Sequence, residues 1–208
     1  MPEEISLKEA ERRAFTSAFQ DGLWDIFIGC FVLMFAIAPG LSRSLGDFWS
    51  SFVFAPFWGL VYLAIWLIRK HVVTPRIGRV RFGAWRQARM VRFNLVTFIA
   101  LLVAFGLGIL SAVQFDAVPG WVHVARFSLA ILIVFSLAAY YLNVARLYIY
   151  GVLTATSPLI GEYLWTKFDA PHHGFPITFG ITAALILGTG LLLFIRLLRD
   201  PAFKEAAE

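Results

Sequence analysis

Stretches of roughly twenty apolar residues recur along this chain, and a spanning helix needs about that length. They cover residues 23–38, 48–68, 93–115, 127–145, 147–166 and 174–195, separated by short polar connections. The chain has 208 residues, of which 60% are hydrophobic and 15% charged, with a mean hydropathy of +0.76. Soluble domains carry roughly 45–50% apolar and about 25% charged residues. A soluble core of this size could not hide so much apolar surface, so lipid has to face part of it. The predicted fold is therefore all-α: a single polytopic membrane domain, 1–208, of about six transmembrane helices.

Two of the six segments carry an acid. Asp25 interrupts the first, which Pro39-Gly40 is expected to end, and Glu162 lies in the fifth. Residues 143–146 make a very short connection between the fourth and fifth segments. It reads as a hairpin, with a broken or re-entrant element as the alternative. Pro56 and Pro158 fall inside segments and predict kinks. Gly106/Gly108 and Gly188/Gly190 are small-residue pairs suited to close helix packing. No internal repeat indicates an inverted-repeat transporter.

Orientation follows from the cations. If the N-terminus is inside, every Lys and Arg except Arg43, Arg126 and Lys167 falls on the inner side, out of 18 in all. That asymmetry is the positive-inside pattern, and it predicts both termini in the cytoplasm and an even number of spans. Trp24, Trp49, Trp121 and Trp165 lie near segment ends, where indole rings anchor at the interface. Tyr140, Tyr141, Tyr148 and Tyr150 group near Asn143 and read the same way. The expected location is the inner membrane of a prokaryote. Met1-Pro2-Glu3-Glu4 is acidic, unlike the start of a cleavable signal peptide, so the first apolar helix is expected to be retained.

Residues 5–19 place Leu7, Ala10, Ala14, Phe15, Ala18 and Phe19 at helical spacing opposite charged residues, which predicts an interfacial amphipathic helix. Asp21-Gly22 would be its hinge. Residues 69–92 form a basic cytoplasmic loop with eight Lys/Arg and no acid. A short hairpin is expected about the turn at 74–78, followed by a basic helix from Ala84 to Arg92. Arg76, Arg79, Arg81, Arg86 and Arg89 are its candidate contacts with anionic lipid headgroups or an acidic partner. Nucleic acid is not an expected partner, because the loop is pinned at the bilayer.

Ionisable groups in spans need partners. Asp21 and Asp25, four residues apart, share a helix face, and Arg146 lies at the tip of the hairpin on the same side. A pair between Arg146 and one of these acids is expected. Arg126 and Glu162 each lie 18 residues from residue 144, about 27 Å along a helix, so a contact between them near the outer face is expected too.

Asp169, His172 and His173, with Glu162, supply metal-ligand chemistry, although adjacent histidines on a loop point apart. The two histidines could equally act as pH-sensitive groups or cap the sixth helix. The single Cys30 permits no internal disulfide. Nothing matches a Ser-His-Asp set, a zinc-protease motif or a phosphate-binding Gly loop. No histidine sits at haem-ligand depth in a span, which weighs against a membrane cytochrome.

Three motifs carry a resemblance: Asp21-Gly22-Leu23-Trp24-Asp25, Thr74-Pro75-Arg76-Ile77-Gly78-Arg79-Val80 and His172-His173-Gly174-Phe175-Pro176. With them the chain resembles a family of small six-helix prokaryotic membrane proteins without assigned function. The resemblance implies the same architecture and supplies no substrate, cofactor or site residue. On the residues alone, a small homo-oligomeric transporter or channel ranks just ahead of a non-transporting scaffold or regulatory factor working through the basic loop. A membrane enzyme with an outward His/Asp/Glu site ranks third. The two leading readings part on one point: acids fully paired at the helix ends, with no cavity at the midplane, favour the non-transporting one.

Overall fold

The computed structural model describes residues 21–73, 84–114 and 117–199. Six α-helices follow in order: α1 Leu23–Leu45, α2 Asp47–Ile68, α3 Ala84–Val113, α4 Gly120–Leu142, α5 Arg146–Phe168 and α6 Phe175–Arg199. A π-helical turn Arg69–Val73 extends α2, and a 3-10 turn Pro171–Gly174 leads into α6. There is no strand among the described residues. Val72-Val73, expected as one arm of a hairpin, belongs to the π turn, and the rest of that hairpin lies outside the described residues. So do the interfacial helix 5–19 and Arg76, Arg79 and Arg81, while Arg86 and Arg89 fall in the first turns of α3.

Five helices are long and apolar enough to cross a membrane: α1, α2, α3, α4 and α6. The sixth, α5, matches them in length, at 23 residues or about 34 Å. Its composition falls short of the same measure, so five of the six expected spans stand on length and apolarity together. Thr154, Thr156, Ser157, Gly161 and Glu162 dilute it. Protein covers that polarity instead of lipid, because α5 is packed between α4 and α6.

Helix α1 does not stop at Pro39-Gly40 but continues to Leu45. A proline removes one backbone donor, and helices of this kind tolerate the loss where neighbours or local adjustment re-satisfy the freed carbonyl. Gly46, at φ 80°, ends the helix, and its N–H donates to the Ser42 carbonyl. The 143–146 connection is a hairpin. Asn143 adopts the left-handed conformation at the end of α4, and Val144 N–H donates to the Ala139 carbonyl.

The core is built by α1, α4, α5 and α6. Val32, Phe179, Ala183 and Ile186 are completely buried, and Ala139, Val144, Leu147 and Tyr150 complete the cluster. Aromatic contacts tie α1 into it, with Phe35 stacked on Phe179 at 5.3 Å and tilted against Phe127 at 5.8 Å. Helix α2 leans on α1 through Trp58, whose ring meets Phe27 and Phe31 and whose N–H reaches the Met34 sulfur. Helix α3 packs on α4. The apolar stretches of α2 and α3 contain no buried residue, and Leu60, Tyr62, Phe98 and Phe105 are exposed, as lipid-facing helices require.

Candidate functional site

At the end of the bundle that holds the α4–α5 hairpin, two acids are buried. Asp21 is fully buried just ahead of α1, and Asp25 is 1% exposed in its first turn. Arg146, the first residue of α5, donates from Nε to Asp25 Oδ1 at 2.6 Å and from Nη2 to Asp25 Oδ2 at 2.8 Å. This is the two-pronged geometry that makes Arg–carboxylate pairs strong. Asp21 instead turns Oδ1 onto the backbone N–H of Leu23 and sets Oδ2 3.6 Å from Arg69 Nη2. Burial raises the Asp21 carboxyl above its ordinary range, and the Leu23 bond and the Arg69 charge pull against that rise. Arg69 also lies over the Trp24 ring, 5.9 Å from its centre.

Close backbone packing places these groups. Gly22 has φ 76°, and a Cβ there would fall 2.3 Å from the Gly190 carbonyl oxygen. A Cβ at Gly190 would in turn meet Ile26 N at 2.8 Å. Both positions therefore need glycine, and Gly22 needs it twice, for space and for its left-handed backbone. Of the expected packing pairs, Gly190 serves this role. A Cβ on Gly106, Gly108 or Gly188 would meet nothing within 4 Å, so these are not close-packing positions.

From this end a polar stripe runs along α5. Tyr150, Thr154, Ser157 and Gly161 recur at the spacing of one helix face, and all are buried. Ser157 and Thr182 share a hydrogen bond of 2.8 Å, joining α5 to α6. The Tyr150 hydroxyl lies beside Asp25 and Thr189 without reaching hydrogen-bonding geometry, and the Thr154 hydroxyl is buried with no partner among the described residues. Tyr150, expected as an interface anchor, is buried instead. Its register with Thr154 and Ser157 was the signal that places it inside.

At the opposite end the expected Arg126–Glu162 contact does not form. Glu162 Oε1 lies beside Gly120, and Glu162 Oε2 pairs with His173 Nδ1 at 2.9 Å. Six residues, about 9 Å, separate Gly120 from Arg126 along α4, so Arg126 and Glu162 lie at different levels. Arg126 faces α3, donating to Gln114 Oε1 at 2.9 Å and to Ser111 Oγ at 3.5 Å. His173 also packs its ring on Trp165 at 4.1 Å. His172 and His173 both have positive φ, and Gly161 and Gly174 come into backbone contact beneath them. This corrects the metal expectation: Asp169, His172 and His173 do not converge, and no group of three ligating residues fit for a metal occurs among the described residues.

A groove of about 740 Å³ opens between α1, α3 and α4. Phe31, Phe35, Phe105, Ile131 and Phe135 give it an apolar wall, and Ser111, His123 and Arg126 line one end. No known protein family matches the chain, and no curated protein or solved structure is similar to it.

Proposed function

We propose that this protein is a non-transporting membrane factor, a scaffold or regulatory subunit anchored by six spans, with the Arg146 end facing the cytoplasm. One observation carries the reading. Asp25 is taken up by Arg146 at one end and Glu162 by His173 at the other, while Val32, Phe179, Ala183 and Ile186 fill the interior without exposure. A translocation path needs a polar group free to meet its cargo near the midplane and a cavity to admit it. In the core the polar groups at that depth are hydroxyls, of which Ser157 and Thr182 bond each other, and the groove between α1, α3 and α4, which also reaches that depth, is walled there by apolar side chains. On this reading the basic segment between α2 and α3 supplies the contact with anionic headgroups or an acidic partner.

A transporter remains the second reading, supported by the Tyr150–Thr154–Ser157–Thr182 stripe that lies between the Asp25–Arg146 pair and the Glu162–His173 contact. Proteoliposomes separate the two. Protein reconstituted with a pH-sensitive dye or a potassium-sensitive dye inside should add no flux over empty vesicles under an imposed gradient. Flux above that of empty vesicles that Glu162→Gln abolishes would overturn the proposal in favour of transport.

A further inference from the structure

We infer that the groove between α1, α3 and α4 holds one acyl chain of an anionic phospholipid, with the phosphate on Arg126. The length of the groove sets the class of occupant. Its lining runs along α4 from His123 to Phe135 and along α3 from Leu101 to Ala112. Those stretches measure about 18 Å and about 16 Å. One leaflet offers about 15 Å of hydrocarbon, half of a core about 30 Å thick. The groove is therefore as deep as one leaflet, and its apolar wall is flanked by α3, whose outer surface already faces lipid.

The headgroup is set by charge. The polar lining is gathered at one end, where α3 finishes and α4 begins, at the level of the exposed Trp121. Among the described residues Arg126 has neutral hydrogen-bond partners, Gln114 and Ser111. A guanidinium carries five N–H donors in a planar fork suited to phosphate, so Arg126 can bind a phosphate oxygen pair while keeping Gln114. Cation at one end and aromatic or aliphatic wall along the rest match an amphiphile with an anionic head. They do not match a soluble anion or an uncharged apolar molecule. The occupant belongs to the leaflet that contains the α3–α4 connection. The inference is independent of whether the α5–α6 interior conducts.

Native mass spectrometry of the full-length protein in mild detergent tests it, with phosphatidylglycerol and phosphatidylcholine of equal chain length as probes. Phosphatidylglycerol should be retained at least tenfold more tightly. Arg126→Gln should remove most of that preference, weakening phosphatidylglycerol much more than phosphatidylcholine, whose phosphate is already neutralised by choline. Gly108 lines the groove and has open space at its Cβ, so Gly108→Leu should weaken both lipids. Gly106 has open space but does not line the groove, so Gly106→Leu should change neither. The basic segment attracts anionic lipid by itself. Retention unaffected by both Arg126→Gln and Gly108→Leu would therefore overturn the inference, as would equal retention of the two lipids by the wild type. Displacement of phosphatidylglycerol by an equimolar amount of oleate would also overturn it, in favour of a free fatty acid. If Arg126→Gln does not fold, Gly108→Leu against Gly106→Leu decides.

Discussion

Arg146 and Asp25 are 121 residues apart in sequence and are joined by two parallel hydrogen bonds of 2.6 and 2.8 Å. The pair ties the start of α1 to the start of α5, so it closes the core across its first and second halves. Asp25 is almost wholly buried and Arg146 is about a quarter exposed.

Breaking such a pair leaves a buried charge without compensation, which costs about 3–5 kcal/mol, while removing both charges costs much less. Asp25→Asn and Arg146→Gln are each expected to destabilise the protein strongly. The double variant should be more stable than the two single losses added together. Thermal unfolding in nanodiscs, run as a double-mutant cycle, checks this. Additive losses would mean the two residues act separately.

Gly22 combines a left-handed backbone with contact against the Gly190 carbonyl. A side chain there incurs about 1–2 kcal/mol for the backbone and about 1–3 kcal/mol for the overpacking. Gly22→Ala is expected to lower the unfolding temperature clearly, whereas Gly188→Ala, at an open position on the same helix as Gly190, should leave it nearly unchanged. Equal effects from the two substitutions would remove the case for close contact between α1 and α6.

Asp21 yields a pH signature. Its carboxyl is raised above the ordinary value near 3.8, chiefly by burial. A group whose folded-state pKa is raised adds stability that is complete below its unfolded value and is lost as pH climbs through the folded one. Asp21→Asn lacks that titration. Its unfolding temperature relative to wild type should therefore rise as pH increases from about 4 upward. A relative fall over the same range would mean that the attraction of Arg69 outweighs burial.

The sequence by itself determined that this chain is a bundle of membrane-length helices, because apolar runs of that length have no other stable solvent. It narrowed residues 143–146 to a hairpin or a broken element, and the structure chose the hairpin. It also narrowed the partner of Arg146 to two acids at one level, since rise per residue fixes depth along a helix. Counting did not fix which way a side chain faces or how far two helices slide past each other. Only the tertiary structure chose Asp25 over Asp21, turned Arg126 toward Gln114 and gave Glu162 to His173. Only there does the Gly22–Gly190 contact appear, along with the burial of the polar stripe of α5 against α6. Depth is a one-dimensional quantity carried by a single helix. Facing and packing belong to pairs of helices, and their geometry is decided when surfaces far apart in the chain are pressed together.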